Sequence, residues 1–150
     1  MLPPDSIYGS RLITRLINKI MQHGKKTIAI NQIYDALTIV KDKMKAESPL
    51  IILRQAVENI KPSVEVRSRR VGGAAYQIPV PVKGDRREAL AIRWLVTCSR
   101  QRPNKEFHTY AEKLAAEIMD AYKNEGTTMK KKQDMHRMAD ANKAFAHFRW

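Results

Sequence analysis

The sequence predicts a mainly α protein, a six-helix domain with one protruding two-stranded antiparallel β-hairpin between helices three and four. Three observations carry that prediction. Apolar residues recur at helical spacing through most of the chain, one internal stretch switches to a period of two, and a Gly72-Gly73 pair divides that stretch. With 150 residues and 43% apolar content the chain is sized for one modest core, so residues 1–150 are expected to form a single domain.

Leu12, Ile13, Leu16, Ile17, Ile20 and Met21 make the apolar face of the first helix, with Arg11, Arg15, Asn18 and Gln22 opposite and His23-Gly24 as its stop. Gly24-Lys25-Lys26 forms a basic loop, and Thr27 is the expected N-cap of a second helix whose spacing runs through Ile30, Ile33, Tyr34, Leu37, Lys41 and Met44. Ser48-Pro49 pairs a capping side chain with a proline at the first helical position, opening a short third helix on Leu50, Leu53, Val57 and Ile60 that Lys61-Pro62 stops.

Between Ser63 and Val82, Val64 and Val66 alternate with Glu65 and Arg67, and Tyr76, Ile78, Val80 and Val82 alternate with Gln77, Pro79 and Pro81. Pro79 and Pro81 lack backbone donors along one strand edge, so the sheet should stop at two strands. A two-stranded ribbon is marginal alone, so its base should rest on the helices while its tip projects. Asp85 and Glu88 suggest a capping box for a fourth helix with Leu90, Ala91, Trp94, Leu95 and Cys98 on its buried face. Phe107, Ala111, Leu114, Ile118 and Ala121 pattern a fifth helix closed by Asn124-Glu125-Gly126, and Met135, Met138, Asn142 and Phe145 pattern a sixth within a basic C-terminal segment, about 127–150.

Lys and Arg number 28 against 15 Asp and Glu, a formal charge of +13 that points to a polyanionic partner. The excess is uneven. Residues 61–102 hold 10 basic and 3 acidic side chains, whereas residues 103–125 hold 3 and 5 and residues 126–150 hold 6 and 2. The fifth helix should therefore face away from the polyanion and the tail toward it. Arg86, Arg93 and Arg100 recur every seven residues on the side of the fourth helix opposite its apolar face. Arg67, Arg69 and Arg70 crowd the glycine turn, where guanidinium groups can grip phosphate or stack on unpaired bases.

Other chemistry is poorly supplied. No apolar run approaches the roughly 18 to 20 residues that span a bilayer, and the opening Met1-Leu2-Pro3-Pro4-Asp5 lacks the features of a signal peptide. A lone cysteine, Cys98, forms no internal disulfide and suits a reducing compartment. His23, His108, His136 and His147 are too dispersed for a metal site, and Gly72-Gly73 lacks the surroundings of a nucleotide loop, so neither an enzyme nor a cofactor is expected.

The segment KPSVEVRSRRVGGAAYQIPVPV (Lys61 to Val82) followed by EALAIRWL (Glu88 to Leu95), the ending HRMADANKAFAHFRW (His136 to Trp150) and the loop HGKK (His23 to Lys26) resemble the small-subunit ribosomal protein seven family, from about Pro4 to Trp150. That resemblance implies a structural constituent of the small ribosomal subunit that binds the 3′ major (head) domain of its rRNA, helps assemble the head and lies near the exit-site tRNA and mRNA. It implies head proteins nine, thirteen and nineteen, and protein eleven, as neighbours. Carried over by position, the expected RNA contacts are Lys25, Lys26, Arg67, Arg69, Arg70, Arg93, Lys130, Lys131, Lys132, Arg137, Asn142, Lys143, His147 and Arg149. Bacterial members usually carry a basic arm before the Pro-Asp segment. The start at Met1-Leu2-Pro3-Pro4 lacks it and suggests an organellar or reduced-genome version, so bacterial cytoplasm, plastid stroma and mitochondrial matrix all stay open. The rival readings are a nucleoid-type DNA-binding protein with a β-arm and an RNA-modifying enzyme.

Overall fold

Six helices form on the apolar faces that the sequence supplies: α1 (Arg11–Ile20), α2 (Lys26–Met44), α3 (Pro49–Ile60), α4 (Asp85–Arg100), α5 (Tyr110–Tyr122) and α6 (Gly126–Ala141). They belong to a computed structural model that describes residues 2–148. Strands β1 (Val64–Val71) and β2 (Ala74–Pro81) lie between α3 and α4, and a 3-10 turn, Lys143–Phe148, follows α6. Ile13 and Leu16 from α1, Ile33 and Leu37 from α2, Leu53 and Ile60 from α3, Leu95 from α4, and Leu114 and Ile118 from α5 are fully buried in one apolar cluster, which Met129 of α6 joins.

The two strands pair antiparallel from Val64 with Pro81 to Val71 with Ala74, and they are the whole of the sheet among the described residues. Gly72 and Gly73 have φ of 61° and 85°, the left-handed pair that a two-residue turn of right-handed twist requires. Counted from the closing pair, Pro79 and Pro81 fall at non-hydrogen-bonded positions, so their donorless nitrogens face outward and the ladder loses nothing. Register also sorts the side chains. Glu65, Arg67 and Arg69 share a face with Ile78 and Tyr76, and Arg70 lies on the other with Ser68 and Gln77. The first face meets the body: Ile78 is fully buried, and the Tyr76 ring stands 5.0 Å from Phe145 of the C-terminal turn.

Several helix ends differ from the sequence expectation. The backbone reverses early at His23 (φ 56°) and Gly24 (φ 71°), so α2 starts at Lys26 with Lys25 as N-cap, and Thr27 falls inside the first turn instead of capping it. Gly84 caps α4, which puts Asp85 inside the helix; Glu88 does not close a box but pairs with Arg15 of α1 at 3.2 Å. Both acids still sit in the first turn, where the helix dipole favours them. Phe107 lies outside α5. The cap is Thr109, whose hydroxyl accepts from Glu112 N, while Glu112 Oε2 accepts from His108 N. Gly126 opens α6 at φ 87°, in a place where a Cβ would come within 2.9 Å of Asp120 Cβ.

Candidate nucleic-acid interface

Among the described residues the cations divide into those with partners inside the protein and those without. Two of the first kind reach across to the open carbonyl ends of neighbouring helices, where positive charge is favourable, and a third reaches the carbonyl of the turn after α3. Arg100 donates to Ile20 O at 3.0 Å, Lys132 to Asn59 O at 2.8 Å and Arg87 to Pro62 O at 3.1 Å. Burial, with Arg87 nearby, holds the Lys132 ammonium below its ordinary pKa. Asn59 in turn donates to Ala121 O and Tyr122 O at the end of α5. The seven-residue row on α4 is thus not a uniform cationic face: Arg86 lies on Glu65, Arg100 caps α1, and Arg93 alone of the three is exposed without a side-chain partner among the described residues.

Arg102 is similarly engaged. Its Nε is 2.7 Å from Glu117 Oε2 and its Nη2 is 2.5 Å from Asp120 Oδ2, beside the Phe107 ring. Glu117 has no exposed surface, and its other oxygen accepts from Thr128 N and Thr128 Oγ1, which ties α5 to the start of α6.

Lys25, Lys26, Arg70, Arg93, Lys130, Lys131 and Lys143 are exposed, and their side chains have no hydrogen bond or ion pair among the described residues. Other expected contacts already have intramolecular partners. Arg67 donates to Glu65 at 2.6 Å, Arg137 pairs with Asp134 one turn back, and Asn142 donates to Met138 O at the end of α6. Arg69 is exposed on the same ribbon face as Arg67. Arg149 lies outside the described residues, as does the side chain of His147. His136 Nε2 accepts from Ser63 N at 3.2 Å, which joins α6 to the foot of the ribbon; burial and then Lys132 keep its pKa below the ordinary value.

The structure adds residues that sequence reasoning did not assign to RNA. Lys19 and Asn18 of α1 line a groove of about 310 Å³ with Arg15, Ala89, Ile92 and Arg93, and Arg11 and Arg54 line the neighbouring one. The signal was present as the four-residue spacing Arg11, Arg15, Lys19 on the polar side of α1, but only the packing of α4 brings Arg93 beside it.

A helical body that displays cations with no partner among the described residues on a ribbon, a loop and three helices is a polyanion-binding protein. No three His, Cys or carboxylate groups among the described residues could hold a metal, and none of the described helices is long and apolar enough to cross a membrane. The chain belongs to the family of ribosomal protein S7p/S5e, which it matches over residues 1–143. It is 56% identical over 149 residues to the small ribosomal subunit protein uS7 of Thermotoga neapolitana, covering 99% of this chain and 94% of that one. It is 53% identical over 147 residues to the uS7 of Paracoccus denitrificans, covering 98% and 92%. Membership makes it a structural, non-enzymatic component of the small ribosomal subunit, associated with its rRNA. It also decides against the nucleoid and RNA-modifying alternatives.

Proposed function

We propose that this chain, acting as one domain, binds the 3′ major (head) domain of small-subunit rRNA, helps assemble the head, and lies near the exit-site tRNA and mRNA. The carrying observation is the division of its cations: those that hold helices together are paired, while Lys25, Lys26, Arg70, Arg93, Lys130, Lys131 and Lys143 stay open to solvent on separate elements. Phosphates along a folded RNA supply many weak contacts in a fixed relative geometry, and cations held on rigid helices match that arrangement better than a single basic tail does. Arg67, Arg69, Lys132, Arg137, Asn142, His147 and Arg149 are the further proposed RNA contacts. Head proteins nine, thirteen and nineteen, and protein eleven, are the proposed neighbours, and the bacterial relatives favour a bacterial ribosome over an organellar one.

Binding to a 3′ major-domain fragment and to an equal length of unrelated structured RNA, compared at one salt concentration, tests the reading. The head fragment should bind at least about 10³-fold more tightly, the usual lower end of specific nucleic-acid recognition. Equal affinity for the two RNAs would overturn it.

A further inference from the structure

Glu65 is the sole acidic residue between Ser63 and Val82. It is 5% exposed on the ribbon face that meets the body. Its carboxylate holds two guanidinium groups at once, Arg67 through Nε at 2.6 Å, and Arg86 through Nε at 2.8 Å and Nη2 at 3.2 Å. Burial by itself would raise the Glu65 pKa; the hydrogen bonds from Arg86 and Arg67 outweigh it and keep the group an anion below its ordinary value. The arginines are not buried with it. Arg67 keeps 42% and Arg86 47% of its side-chain surface in solvent.

A carboxylate and a phosphate offer guanidinium the same pair of acceptor oxygens. We propose that Glu65 is a specificity-determining residue for RNA binding, an internal anion that fixes Arg67 and Arg86 as a preset pair across the junction of β1 and α4. The inference rests on the RNA-binding reading above. A long arginine free in solvent reaches any phosphate nearby. One held at its Nε by a tethered carboxylate meets incidental phosphate in competition with an acceptor of high effective concentration. RNA whose phosphates fall at the outward N–H edges of both groups gains them already oriented, with little side-chain entropy left to lose. Glu65 therefore lowers affinity for arbitrary polyanions and preserves it for one geometry. Arg70, Lys130 and Lys131, which have no such partner among the described residues, bind either kind of RNA.

The test uses the full chain, a 3′ major-domain fragment and an unrelated RNA duplex, each titrated with salt. Glu65→Gln releases both arginines. The log-log salt slope on the unrelated duplex should steepen by about one to two units, affinity for the head fragment should not rise, and the ratio of the two affinities should fall about tenfold. Glu65→Asp keeps the charge and should restore most of that ratio. Arg86→Gln gives a reading that does not depend on how Glu65→Gln folds: it should remove about one unit of slope on the head fragment and less than half as much on the duplex. Proportional weakening on both RNAs in Glu65→Gln, with a lower melting temperature and no steeper slope, would make Glu65 a staple of the fold and overturn the proposal. So would equal slope losses in Arg86→Gln. Wild-type protein that fails to discriminate the two RNAs would instead overturn the RNA reading itself, before any variant is compared.

Discussion

Glu117 is accommodated at complete burial because its carboxylate oxygens have donors: Arg102 Nε at 2.7 Å, Thr128 N at 3.1 Å and Thr128 Oγ1 at 2.6 Å. Removing Arg102 alone leaves a buried carboxyl oxygen without its partner. Arg102→Met should therefore destabilise the protein by about 3–5 kcal/mol, lowering the melting temperature by on the order of 10 °C, as a thermal melt would show. Sequence reading assigned no role to Glu117, because its partners come from the loop after α4 and from the start of α6, and neither spacing nor charge marks a distant pair. Asp5 is the same kind of case. It accepts from Ile7, Tyr8 and Ser10 backbone N–H groups and from the Tyr34 hydroxyl, fixing the entry to α1. Burial alone would raise its pKa, and these four donors bring it below the ordinary value instead. Polarity was legible at such positions; the identity of the partner was not.

At the scale of elements, helix faces and the ribbon were legible because each rests on a repeating local pattern, and the glycine turn on a conformation that side chains disfavour. Helix ends were less so. Thr27 and the Asp85–Glu88 pair satisfy capping patterns that the structure does not use, since backbone reversals at Gly24 and Gly84 decide where α2 and α4 begin. The packing of α4 shows how element and function separate. Leu95 is fully buried against the other helices, while Arg93, two residues earlier, is exposed. Leu95→Ala should cost about 2–5 kcal/mol through a core cavity. Its log-log salt slope for RNA, measured well below its melting temperature, should match wild type, because the charged surface is unchanged.

Across the whole molecule, a formal charge of +13 overstates what is available to a partner. Arg102 and Arg15 pair with carboxylates, and Arg87, Arg100 and Lys132 sit on backbone carbonyls. Composition revealed that a polyanion binds; only the fold separates the cations that build the protein from those it offers outward. Arg70, Arg93 and Lys131 represent the second group on β1, α4 and α6. The decisive measurement is a melting curve beside a salt-titrated binding curve on the head-domain fragment for the triple variant Arg70→Ser, Arg93→Ser, Lys131→Ser. Exposed changes of this kind should each shift stability by no more than about 0.5 kcal/mol, while the log-log slope should shrink by about two to three units. A variant that melts early yet keeps the wild-type slope would contradict the division of cations on which this account of RNA binding stands.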